Sequence, residues 1–499
     1  MRMSEVARPS FAIVSADAAA ALRRELEGWA WLAIGALAVA GVFALLLALS
    51  RIPGMEEAPF WPLGFFYKGL VIHVVFSLVI WLLGVFAFLV TAATCAIPSE
   101  GLRAAPLGRI GQGIALVSFP CLFAPAFLNT AEPELTNYIP LIRHPAYDLG
   151  LMLLAIGILM PVARLFLNLP GRPMTCFKTW PPLAFAMVVA GFVYALALIA
   201  FAIAATLLQC EGSLMASHEL LFWGGGHLMQ FVYAILLMTN WLILAERAFG
   251  DGAIGSAPFR AAVALVGALA LPAPFFYLAF APFSPDQHEA FRLLQFGLLA
   301  PTLLFAVALL VNVRALVGAV AHRAPRSTGR PGGRPSDDGL WSAATGWPWR
   351  DPAFFSLAAS IALFALGGVL GFLVGGYDTR IPAHYHAVVT AVSVSSAGML
   401  LTFGLDELGR ATASARAVRA LIGLYAGGQF VASIAMFVAG GYGAARKTPT
   451  GAGALDPVAA AGMAVHGIAS VFTILGGAAF VVVAMRALSR RPPARPRVP

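Results

Sequence analysis

Apolar stretches long enough to cross a bilayer recur along the whole of this chain, at about 27–50, 65–96, 110–130, 148–168, 181–209, 217–245, 258–281, 289–318, 353–376, 383–405, 415–440 and 458–487. A helix needs about 20 mostly apolar residues to span roughly 30 Å of hydrocarbon, and each window meets that length. Only 11% of the residues are charged, whereas a soluble domain carries about a quarter, so the chain cannot clothe a water-facing surface. The reading is an all-α integral membrane protein of about twelve transmembrane helices, packed as one domain over residues 1–499. No internal repeat and no soluble domain interrupt it. The first apolar stretch is too long and too poorly flanked for a cleaved signal peptide.

The net charge of +9 does not point to nucleic acid, because its placement is topological. Of the 32 Lys and Arg residues, seven lie on one side of the predicted bundle: Arg51, Lys68, Arg143, Arg292, Arg380, Arg446 and Lys447. The rest fall in the two tails and the even-numbered connections. Basic residues gather on the cytoplasmic side of membrane proteins, so both termini are expected there. The longest connection, about 319–352, contains APRSTGRPGGRPSDDG and reads as a flexible cytoplasmic linker. Cys95, Cys121, Cys176 and Cys210 are scattered, without CxxC or zinc spacing, and read as small core residues.

Ionisable side chains inside hydrocarbon are costly and mark candidate functional sites. Nearly all the acids and bases here fall at helix ends, where Glu246, Asp406 and Glu407 read as solvated. The histidines depart from that pattern. With helices 2, 6 and 10 entering from the outer side, His73 and His227 lie roughly 10–15 Å down at about 1.5 Å per residue. His384, His386 and His466 lie in the same outer half, and packing is an equal reading for His466. His144, His218, His288 and His322 fall at or beyond the membrane edges and are expected to be solvated. In His384-Tyr385-His386, residues two apart on a helix point about 200° apart. Two such imidazoles cannot share one ion but can each serve a different macrocycle through an axial bond to iron.

The segments GLVIHVVFSLVIWLLG (helix 2), HELLFWGGGHLMQF (helix 6), RIPAHYHAVV (helix 10) and GAARKTPTG (between helices 11 and 12) resemble, in order and depth, subunit I of the haem–copper oxidase and nitric oxide reductase superfamily. The resemblance covers essentially the whole chain. It implies two haems, of b type. His73 and His386 would be the axial ligands of a low-spin haem that passes electrons. His384 would be the only protein ligand of a second, high-spin haem that binds a diatomic gas. His227 would match the helix-6 ligand of a second metal facing that haem, and Arg446 and Lys447 would hydrogen-bond haem propionates.

The sequence also departs from the family. Its relatives complete the second-metal site with adjacent histidines on helix 7, and this chain has no His-His pair anywhere; the corresponding positions are Phe276 and Tyr277. One imidazole is a poor site for copper or non-haem iron. Gln230, Tyr277, Asp286, His288 or Glu289 could complete an altered site. Otherwise the metal is absent and the pocket holds His227, Tyr277 and water. The fourth position after His227, a tyrosine in oxidases and a glutamate in nitric oxide reductases, is Phe231 here, and Tyr233 points elsewhere. No carboxylate line suggests proton pumping.

Three functions compete. The first is a respiratory oxidoreductase reducing oxygen or nitric oxide, with His384, His227 and Tyr277 at the reaction site. It would sit in a bacterial-type inner membrane, its haems toward the outer side, and take electrons from a partner subunit or cytochrome, since the chain has no haem c motif or copper-binding cysteine pair. The second is a non-enzymatic haem protein on the same scaffold: an electron conduit, gas sensor or assembly protein. The third is a twelve-helix transporter, which predicts its long loop between helices 6 and 7 rather than between 8 and 9.

Overall fold

The computed structural model describes residues 16–50, 65–97, 102–169, 180–210, 212, 218–250, 252–323, 347–411, 413–446 and 455–490. Its frame is twelve long apolar helices: α1 (Ala20–Ser50), α2 (Phe66–Ala96), α3 (Pro106–Phe127), α4 (Pro145–Leu167), α5 (Pro182–Cys210), α6 (His218–Phe249), α7 (Ser256–Ala279), α8 (Pro285–Gly318), α9 (Pro352–Phe372), α10 (Arg380–Glu407), α11 (Ala415–Gly441) and α12 (Pro457–Ser489). Each coincides with a predicted span. The linker segment 324–346 lies outside the described residues.

Helix starts follow local chemistry. Six of the twelve begin on proline, whose missing N–H is an orphan at that position anyway. Side chains of His144, Ser284, Asp351, Ser414 and Asp456 accept hydrogen bonds from the exposed backbone N–H groups of the helices that follow them, the usual stabilising cap. Proline also breaks helices: Pro272 and Pro274 tighten α7 into a 3₁₀ turn, Ala273–Phe275, before a last helical turn, Phe276–Ala279. In α2 a π-helical turn, Val75–Ile80, begins two residues after His73.

Three helices are enclosed by the others. In α2, α6 and α10, 83% of the most apolar stretch is buried, against 28–50% in the remaining nine. Polar side chains stitch this centre together. Asn240 Nδ2 on α6 donates to Ser396 Oγ on α10 at 2.9 Å. Trp241 Nε1 donates to Ser360 Oγ on α9 at 2.8 Å, and Ser360 in turn donates to the Ala391 carbonyl of α10 at 2.7 Å. Glu246, read from the sequence as a solvated helix-end residue, is 1% exposed, because the last turns of α6 are still inside the bundle.

The all-helical expectation is modified at one point. Between α3 and α4 a short hairpin forms, β1 (Glu132–Glu134) pairing antiparallel with β2 (Leu141–Arg143). It lies at the end of the bundle where α6 begins and α11 finishes, called here the hairpin end.

At the opposite end, Arg164 of α4 and Glu25 of α1 form a bidentate pair, with N–O distances of 2.6 and 2.7 Å. Their side chains are 0% and 3% exposed, and Thr91 of α2 donates to the same carboxylate at 2.9 Å. Neither was singled out from the sequence. Removing one partner of a buried pair leaves an uncompensated charge and costs about 3–5 kcal/mol, whereas replacing both with apolar residues is often neutral. Arg164→Leu is therefore expected to lower the unfolding midpoint in detergent markedly, and the Glu25→Leu/Arg164→Leu double variant to recover most of it; thermal unfolding monitored by intrinsic fluorescence checks this.

Candidate functional site

His73, His227, His384 and His386 sit on the three enclosed helices, and His466 on α12. On α10, the His384 Nδ1–H donates to the Gly367 carbonyl of α9 at 2.7 Å. A carbonyl only accepts, so this bond puts the proton on Nδ1 and the lone pair on Nε2. The ring lies so close to α9 that a Cβ added at Gly371 would stand 2.7 Å from its Nδ1; only glycine leaves that space. On α2, His73 Nδ1 is held the same way by the Ala40 carbonyl of α1 at 3.0 Å. His386, two residues beyond His384, is half-buried, its ring 5.0 Å from that of Tyr385.

His227 on α6 is different. It is 1% exposed, and both ring nitrogens are engaged. Nδ1–H donates to the Trp223 carbonyl one turn earlier at 2.7 Å. Nε2, left with the lone pair, accepts from the Tyr138 hydroxyl at 2.8 Å. Tyr138 comes from the hairpin loop. Its ring fits against α6 because residue 226 is glycine: an added Cβ there would be 2.6 Å from Tyr138 Cγ. Neighbouring Gly224 gives similar room to the Tyr277 hydroxyl. Phe291 of α8 packs against both Tyr277 and His227, with ring separations of 5.6 and 5.7 Å.

The hairpin loop is anchored from two sides. The Asn137 backbone N–H and Nδ2 donate to the two Glu219 carboxylate oxygens, at 2.8 and 2.6 Å, tying the loop to the first turn of α6. Arg446, after α11, donates to Asn137 Oδ1 at 2.8 Å and lies 5.9 Å over the Tyr377 ring. Glu134 of β1 accepts from Arg143 at 2.8 Å and pairs with His218 Nδ1 at 2.9 Å. The start of α10 is fastened by the Asp378–Arg380 ion pair, at 2.7 Å, which holds the Asp378 carboxyl below its ordinary pKa.

Several sequence expectations are corrected here. Gln230 is not directed to His227: its amide oxygen accepts from Gln295 of α8, one polar residue satisfying another inside an apolar bundle. Glu289 pairs with Arg292, and His288 Nδ1 donates to the Ser284 carbonyl, both on the first turns of α8. His218 is not solvated but buried against Glu134. His466 is also buried, its Nδ1 donating to the Ala432 carbonyl of α11 at 3.2 Å, the same bond that His73 and His384 make. Lys447 lies outside the described residues. Tyr138 and Asn137 were missed, since a loop tyrosine carries no sequence signal for a partner 89 residues away.

Haem fits the first set of residues. At His73 and His384 a backbone carbonyl fixes the ring and leaves Nε2 as the donor, the outer support that metal-binding histidines ordinarily have. A second metal does not fit the residues around His227. Its lone pair is spent on Tyr138, Phe291 offers only carbon, and Gln230 is taken. No three His, Cys, Asp or Glu side chains gather to hold an ion among the described residues.

Comparison with known proteins gives a consistent picture. The sequence model for cytochrome c and quinol oxidase polypeptide I matches residues 28–469. An uncharacterised protein of Aquifex aeolicus is 26% identical over 386 residues, covering 76% of this chain and 84% of that one. Another, from Rickettsia prowazekii, is 23% identical over 507 residues, covering 91% and 94%. Among solved structures, a haem–copper terminal oxidase dimer determined by cryo-electron microscopy superposes with a TM-score of 0.73 over 94% of this chain and 84% of its own, at 17% identity; at that identity the likeness is one of fold.

Burial, and secondarily the Glu219 carboxylate, raise the Tyr138 pKa. A raised pKa favours the protonated native form, so this contribution to stability is complete below the ordinary tyrosine value of about 10 and is lost as pH rises through the higher native one. The tyrosinate absorbance of wild type minus Tyr138→Phe, followed through about pH 10 in the folded protein, is expected to stay flat.

Proposed function

Because the chain belongs to the cytochrome c and quinol oxidase polypeptide I family, we propose that it is a membrane oxidoreductase that binds two haems and reduces a diatomic gas, oxygen or nitric oxide. In this reading His73 and His386 hold the electron-passing haem, and His384 holds the haem that takes the gas. The observation that carries it is the placement of these three histidines on two enclosed helices, with the His73 and His384 rings each fixed by a backbone carbonyl of the preceding helix. Haem bound there supplies one-electron chemistry and an iron with one open position.

The chain's own residues perform the remaining tasks. Carbonyls of Ala40 and Gly367 orient the ligand rings and raise the basicity of the coordinating nitrogen. Arg446, already drawn to the hairpin end by Asn137, supplies positive charge for a propionate, with Lys447 assigned the same role. Phe291 packs its ring against both His227 and Tyr277. Tyr138 and His227 hold a proton between them there, a phenol hydrogen on an imidazole lone pair. Electrons enter from a partner subunit or cytochrome at the hairpin end. That end faces the outside of a bacterial-type inner membrane, consistent with the few basic residues near it and both termini on the cytoplasmic side.

The second reading is a non-catalytic haem protein, an electron conduit, gas sensor or assembly factor on the same scaffold. One observation favours it: the helix-6 histidine is closed by Tyr138. The family assignment sets the transporter reading aside.

Reduced-minus-oxidised and carbon-monoxide difference spectra of the detergent-purified protein separate these outcomes. The expected result is a low-spin haem plus a second haem that binds carbon monoxide. His73→Ala or His386→Ala should abolish the low-spin signal, and His384→Ala should abolish carbon monoxide binding while sparing it. Two haems and gas binding without turnover on oxygen or nitric oxide would favour the second reading. A preparation without haem would remove both.

A further inference from the structure

We infer that Tyr138 takes the place of a second metal on His227, so that the pocket is served by a phenol–imidazole pair and not by an ion. This rests on the haem reading above but concerns a different group of atoms. In the family the helix-6 histidine offers its nitrogen to the second metal. Here that role is open only to Nε2, because Nδ1 carries its proton to the Trp223 carbonyl, and Nε2 is already bonded to Tyr138.

Four features make this arrangement built in. Gly226 leaves the gap that the Tyr138 ring fills, and any Cβ would close it. Asn137, the preceding residue, is fixed by Glu219 from α6 and by Arg446 from beyond α11, so the loop cannot drift from the histidine without breaking three hydrogen bonds, two of them to a carboxylate. The side chains that could complete a metal site fall short of one: Gln230 is spent on Gln295, and His288, whose Nδ1 donates to the Ser284 carbonyl, could add only one further nitrogen. Finally, the Trp223 ring lies 5.6 Å from Tyr138 and 5.1 Å from His227, and its buried indole N–H has no acceptor.

The hydroxyl that closes His227 is then the pocket's movable hydrogen. It can rest on Nε2 or turn toward a polar guest, while Nδ1–H stays on the carbonyl. Tyr138→Phe is the informative variant, since it keeps the ring that fills the space at Gly226 and removes only the oxygen.

The test uses the full chain, purified in detergent from cells grown with added copper and iron, and has two readouts. Copper, zinc and non-haem iron are counted against protein by plasma mass spectrometry, with haem iron subtracted by its pyridine haemochrome. The expected content is far below one ion per chain. Close to one copper or non-haem iron per chain, lost in His227→Ala, would overturn the inference. The infrared stretching band of bound carbon monoxide is then compared between wild type and Tyr138→Phe, with the visible low-spin spectrum as the control for folding. A shift in the band with the low-spin spectrum unchanged is expected; identical bands would show that the hydroxyl does not serve the pocket and would also overturn it. A preparation without haem would sink the function proposed above, and the metal count alone would then decide what His227 holds.

Discussion

One kind of hydrogen bond governs this site: an imidazole N–H on an even-numbered helix donating to a backbone carbonyl of the helix before it. His73 makes it to Ala40, His384 to Gly367 and His466 to Ala432. Inside hydrocarbon a polar side chain must find its partner within the protein, and a helix carbonyl can accept a second bond beside its own helical one. The consequence is geometric. Each bond pins a ring between two neighbouring helices, fixes its tautomer, and directs the other nitrogen away from the pair. His227 breaks the pattern by donating to its own helix, so no neighbouring helix carbonyl holds its ring and its Nε2 is available to a loop.

That difference explains how much was legible beforehand. The twelve spans could be read from sequence because hydrocarbon thickness sets helix length and apolar composition directly. His73, His227, His384 and His386 stood out because an ionisable residue in such a span is expensive and rare. What could not be read was which groups come together across the fold. Arg164 and Glu25 were not singled out, because their pairing depends on the fold bringing the ends of α1 and α4 together. His218 looked solvated, yet Glu134 reaches it from a hairpin that no periodicity announced. Tyr138 was invisible for the same reason: its partner is chosen by the loop that carries it.

The space around His227 has been filled with aromatic side chains from separate elements. Tyr138 comes from the hairpin loop, Tyr277 from the broken end of α7 and Phe291 from α8, and the glycines 224 and 226 of α6 make room for the first two. Each change alone could be read as packing. Together they are mutually dependent, because the ring at 138 needs Gly226, the hydroxyl at 277 needs Gly224, and Phe291 is in contact with both Tyr277 and His227. Adjacent histidines at 276 and 277 would not restore an ion site unless Tyr138 also withdrew.

Withdrawal is opposed from the surface. Tyr138 is held by a loop whose previous residue bonds simultaneously to an acid on α6 and a base beyond α11, and charged partners make those bonds stronger than neutral ones. The same arginine is the residue expected to meet a haem propionate. Under the proposed function a propionate drawing Arg446 inward would compete with Asn137 for its guanidinium, while the two bonds to Glu219 would still hold the loop. The hairpin loop thus reaches both the arginine assigned to a propionate and, through Tyr138, the ring of His227, which makes it a part of the site and not a cover over it.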